Sequence, residues 1–146
     1  MSVARSRAEA VWSGDLFHGK GTVSVGSGVF QEQPISWAAR TERTQGTTSP
    51  EELLAAAHAS CFSMALSNIL AKNGTPAERL EVKAEATFEK VAEGFKVTSV
   101  TLDVVGSVKG ITVEKFTEAA KQAGEGCPIS KALKGNVEIR VNARLA

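Results

Sequence analysis

Changes in the period of apolar and polar residues mark the elements of this chain. Period-two alternation reads as strand over Ala8–Ser13, over GTVSVGSG (21–28) and over PISWAAR (34–40). The pattern then breaks. From Leu53 through Ala71 there is no charged residue, and TTSPEELL at the head of that run is a strong helix start. Ser49 fits the N-cap, Pro50 the first helical position, and Ser49 with Glu52 spells the S-x-x-E capping box. The helix should reach about Lys72, where Asn73, Gly74 and Pro76 stop it. Alternation returns in LEVKAEATFEKV (80–91) and FKVTSVTLDVVGSV (95–108), joined by a tight turn at AEG (92–94). TVEKFTEAAKQAG (112–124) reads as a helix ended by Gly124. GCPISKAL (126–133) starts a short second helix with Pro128 in its first turn, and NVEIRVNARL (136–145) closes as a strand. Strands, helix, strands, helices, strand is the order of an α+β fold with mainly antiparallel sheets.

The length of 146 residues suits one domain, 1–146, with a sizeable core. Seventeen basic side chains face sixteen acidic ones, so nothing recommends nucleic acid or an anionic membrane as partner. The N-terminus, MSVARSRAEAVW, has no apolar stretch behind its arginines and is not read as a secretory signal. The uncharged run is long enough to cross a membrane, but alanines, serines, Asn68 and His58 dilute it and no Trp or Tyr anchors its ends. A helix buried inside a soluble, cytoplasmic protein is the expectation. Gly19, Gly21, Gly26 and Gly28 lack phosphate-loop spacing and no helix follows them, so they read as hairpin turns.

The chemistry lies in two cysteines, Cys61 and Cys127. In a reducing compartment such a pair leans toward catalysis or redox sensing, with two inert buried thiols as the plain alternative. Two histidines and two cysteines at 18, 58, 61 and 127 fit no zinc spacing. At about 100° per residue, Glu51 and His58 share the general side of Cys61 on the helix, whereas Glu52 faces away. His58 on an apolar helix is most often a satisfied core histidine, and Glu51 also reads as an acid favoured by the helix dipole. Cys127, just ahead of Pro128 at a helix start, would face free N–H groups, a placement that favours ionisation. Cys61 would be inert unless a cation lies near, and Arg40, ending the strand PISWAAR, is one candidate among seventeen basic residues.

GTTSPEELLAAAHASCFSMAL (46–66), followed by GCPISKAL, closely resembles the osmotically inducible protein C family of thiol peroxidases, more than its sister group, the organic hydroperoxide resistance proteins. The likeness extends over VWSGDLFHGKGTVSV at the front and FKVTSVTLDV later. It implies antiparallel sheets around a long central helix, in an intertwined homodimer with sites at the interface. It also implies a peroxidase that reduces organic hydroperoxides, and hydrogen peroxide less well, with no metal or other cofactor. By resemblance Cys61 is the peroxidatic cysteine and Cys127 the resolving one. Glu51 matches the glutamate that orients the active-site arginine, and Arg40 matches that arginine; His58 inherits no defined role. Attack of Cys61 on the peroxide would leave a sulfenic acid, which Cys127 converts to a disulfide. A dithiol, which the resemblance suggests is a dihydrolipoyl group, would then reset the pair. The alternative is a redox-sensing or binding module that uses the same two cysteines without turnover.

Overall fold

A computed structural model describes residues 2–42 and 44–146. The chain forms two compact units, Met1–Pro50 and Glu51–Ala146. In the first, β1 (Ala8–Ser13), β2 (Lys20–Val25) and β3 (Gln33–Ile35) make an antiparallel sheet in that order. All six residues of β1 are exposed. Gly28 lies in the turn after β2, its N–H bonding Val25 O at 3.0 Å.

The strand expected over 34–40 ends early. Pro34 lacks an N–H and sits on the edge strand β3, where proline is tolerated. Ser36 then caps a five-residue helix, α1 (Trp37–Thr41), its Oγ accepting the Ala39 N–H at 3.1 Å. Arg40 therefore occupies the last turn of a helix and not the end of a strand.

The second unit contains all but the first residue of the long helix α2 (Pro50–Lys72), which begins at the expected proline and ends at the expected lysine. After it, β4 (Ala77–Val91) and β5 (Gly94–Val108) pair antiparallel across a two-residue turn. The last strand, β6 (Glu138–Leu145), pairs with β5 in parallel, so this sheet is mixed, with order β4-β5-β6. The connection explains the direction. A hairpin reverses the chain, whereas α3 (Val113–Gly126) and α4 (Pro128–Leu133) form a crossover that returns it to the end from which β5 started.

One core fills this unit. α2 contributes Phe62, Leu66 and Leu70, β5 contributes Val100, Leu102 and Val104, and α3 contributes Phe116, Ala119, Ala120 and Ala123. The spacings are those of one helical stripe and one strand face. Each large side chain buried here contributes about 1.5–3 kcal/mol. α2 has the length and composition to cross a membrane. In the structure four of its five buried residues, His58, Phe62, Leu66 and Leu70, fall four apart on a stripe against the protein core, while Met64 is 68% exposed.

Gly124 does not end α3. The helix continues to Gly126, and Gly124 is buried inside it, where a Cβ would stand 2.5 Å from Val141 Cγ2 of β6. The glycine lets helix and strand approach closely.

Candidate active site

Two helices carry the thiols. Cys61 sits in the middle of α2, half-buried and packed against the core. Cys127 closes α3 and opens α4: its N–H bonds Ala123 O at 3.0 Å, and its sulphur accepts the Ser130 N–H at 3.3 Å as the N-cap of α4. Pro128 follows at the first helical position, where a missing N–H costs nothing. Cys127 is completely buried. The fold brings these two free thiols near enough for the Cys127 side chain to act on the Cys61 thiol, although 66 positions separate 61 from 127. Burial pushes the Cys61 thiol up, the backbone N–H of Ile129 draws it partly back, and the Cys127 side chain adds to the rise. A thiolate at Cys61 therefore needs a positive charge beside it.

His58, one turn before Cys61 on α2, is fully buried. Its Nε2 lies 2.8 Å from Ser130 Oγ, and Ser130 Oγ lies 3.1 Å from Cys127 Sγ. Burial pushes the His58 imidazole below its ordinary value, so the ring is neutral at neutral pH. Its Nδ1 has no hydrogen-bond partner among the described residues.

Glu51 is buried in the first turn of α2, ten residues ahead of Cys61. With α2 unbroken between them, that separation is about 15 Å of helical rise. Arg40 belongs to the first unit, where its guanidinium carbon lies 5.7 Å from the Trp37 ring centroid. Phe17 meets the same indole edge-on at 5.8 Å. Among the described residues no three His, Cys, Asp or Glu side chains converge as a metal-binding group.

Of the residues singled out from sequence, Cys61, Cys127 and His58 come together, and two unforeseen groups join them: the Ser130 side chain and the Ile129 N–H. A local signal for Ser130 exists, because it stands three residues after Cys127 at the position an N-cap bonds. Its partner His58 is 72 residues away, which no local pattern encodes.

Known proteins share this arrangement of sequence and fold. The sequence profile of the OsmC-like protein family matches residues 43–142. Peroxiredoxin OsmC of Escherichia coli (strain K12) is 41% identical over 133 residues, spanning 91% of this chain and 92% of that protein. Organic hydroperoxide resistance protein OhrB of Bacillus subtilis (strain 168) is 32% identical over 126 residues, 85% of this chain and 89% of its own length. The crystal structure of B. subtilis OhrB superposes with a TM-score of 0.73 at 29% identity, covering 94% of this chain and 98% of that one. With its long apolar helix, its two sheets and these matches along most of its length, the chain belongs to the OsmC-like protein family.

Proposed function

We propose that the protein is a cysteine-based peroxidase that reduces organic hydroperoxides through Cys61 and Cys127. The observation that carries this reading is the proximity of the two free thiols against one apolar core, one half-exposed and one buried. The similarity to a peroxiredoxin and to organic hydroperoxide resistance proteins supports it. The half-exposed Cys61 thiolate attacks the distal peroxide oxygen, the alkoxide leaves, and Cys61 becomes a sulfenic acid. Cys127 condenses with it to a disulfide and water, which guards Cys61 against irreversible oxidation. A small dithiol, in the family's pattern a dihydrolipoyl group, restores both thiols by exchange.

Arg40 is assigned the positive charge that burial makes necessary at Cys61, and Glu51 the carboxylate that orients it. About 15 Å along one helix is beyond a glutamate side chain, so Glu51 acts on the Cys61 of a second chain in a homodimer. Both units are read as parts of one domain, because among the described residues of the first only Val23 and Ser49 are buried. The compartment is read as cytoplasmic, where free thiols persist.

The test is catalytic consumption of an organic hydroperoxide with excess dithiol. Many turnovers per chain, lost in Cys61→Ser, support a peroxidase. A single stoichiometric oxidation without turnover assigns a redox sensor instead.

A further inference from the structure

The assigned roles of Cys61 and Cys127 leave unused two buried polar side chains of the second unit, His58 and Ser130, which run in a chain to the sulphur of Cys127. Its direction follows from hydrogen counting. A neutral imidazole carries one N–H. Nδ1 has no partner among the described residues, whereas Nε2 lies 2.8 Å from Ser130 Oγ. An unmet buried N–H is rarer than an unmet acceptor, so the hydrogen belongs on Nε2 and is donated to Ser130 Oγ. The hydroxyl hydrogen of Ser130 is thereby turned to Cys127 Sγ at 3.1 Å, and the Ser130 backbone N–H reaches the same sulphur at 3.3 Å. One residue, itself 1% exposed, aims two donors at one sulphur.

We propose that Ser130, oriented by His58, is a catalytic residue of disulfide formation: its hydroxyl and backbone N–H steady negative charge on Cys127 Sγ as that sulphur attacks the Cys61 sulfenic acid. The same two donors serve the reverse situation, when the dithiol reductant takes Cys61 and Cys127 departs as the leaving sulphur. This rests on the reading of Cys127 as the resolving thiol. In the step, an S–S bond forms and the Cys61 S–O bond breaks. Cys127 sulphur is oxidised, the sulfenic sulphur is reduced, and the departing hydroxide takes the proton that the Cys127 thiol gave up, leaving as water. No outside oxidant is needed. His58 touches neither sulphur in this scheme; it is a positioning residue that acts through Ser130.

The experiment mixes the reduced full-length protein with one equivalent of tert-butyl hydroperoxide. Cys61 oxidation is followed by hydroperoxide loss, and disulfide formation by mass spectrometry of quenched samples. Ser130→Ala should lower the second rate relative to the first by about tenfold or more, the effect of losing a hydrogen bond to a charged atom. Ser130→Thr, which keeps the hydroxyl, should restore most of that ratio. His58→Gln, which offers an amide N–H near the position of Nε2, should retain it, and His58→Phe should slow disulfide formation as Ser130→Ala does. A wild-type ratio in Ser130→Ala overturns the proposal. Equal slowing in Ser130→Ala and Ser130→Thr also overturns it, since the side chain would then act by packing alone. A wild-type protein that consumes hydroperoxide yet forms no Cys61–Cys127 disulfide removes the resolving role of Cys127 and this proposal with it, and the mass spectrum separates that failure from the other two.

Discussion

A fully buried neutral imidazole must take up charge when acid is added, and His58 makes the cost measurable. Its folded value lies below the ordinary 6.5, so between the two the unfolded chain binds more protons and stability rises with pH. Acidifying from about pH 7 to about pH 5 should therefore weaken the fold, and His58→Gln should flatten that slope in denaturant titrations. At the thiols, Cys61→Ser should abolish hydroperoxide turnover. Cys127→Ser should consume about one equivalent and halt at a sulfenic or over-oxidised Cys61. Reversed behaviour of the two variants would exchange their roles. Arg40→Ala should slow Cys61 oxidation, and Arg40→Lys should recover only part, because a point charge does not reproduce the planar guanidinium; full activity in Arg40→Ala moves the role to another cation. Both cysteines were legible from the two motifs that hold them. The link from His58 to Ser130 was not, because it depends on α2 and α4 meeting in space.

At the scale of elements, the approach of α3 to β6 rests on the missing side chain of Gly124. Replacing it with alanine gains about 1 kcal/mol of helix propensity. The new methyl, however, meets the stiff Val141 side chain at 2.5 Å, and overpacking of that kind costs about 1–3 kcal/mol. Gly124→Ala should thus be neutral to destabilising in urea unfolding, and adding Val141→Ala should relieve the clash. A clear gain in stability from Gly124→Ala alone would contradict the packing role. The sequence read this glycine as a helix stop, since composition cannot distinguish an end from a close approach. Elements with many periods of pattern, such as α2, β4 and β5, were legible almost to their ends. The segment after Ile35 was not: five helical residues are too few to set up a 3.6-residue period, and the cap at Ser36 outweighed the alternation around it.

For the whole molecule, an active site shared between chains has a sharp signature. Glu51→Ala and Cys61→Ser, each weak alone, should regain activity when refolded together, because one of the two sites in a mixed dimer then has both groups intact. A mixture with heterodimers present and no activity would place Glu51 in the site of its own chain. Substrate choice belongs to this scale as well. With Cys61 packed among core hydrophobics, each added methylene of an alkyl hydroperoxide should bring about 0.8 kcal/mol of binding, so two should raise kcat/KM about tenfold. Flat efficiency along a chain-length series would argue against an apolar pocket. The α+β class was legible from the order of periods. The parallel pairing of β6 was not, because direction is set by the crossover and leaves no mark within the strand itself.

That crossover also sets a timetable. The β4–β5 hairpin closes through a two-residue turn, whereas β6 must find β5 across the sequence of both intervening helices; the Asn142–Asp103 bond at 2.9 Å joins residues 39 apart. Local closures come early and distant ones late. Cys127 rides on that crossover, so the order expected from loop length has Cys61 in place before Cys127 is brought near it. If Cys127 is the resolving thiol proposed above, oxidant present during that interval meets an unguarded Cys61. Refolding from denaturant in the presence of hydroperoxide should then leave more sulfinic Cys61 than the same dose given to the native protein, as counted by mass spectrometry. Equal damage in the two cases would mean that the guard forms as early as the thiol it protects.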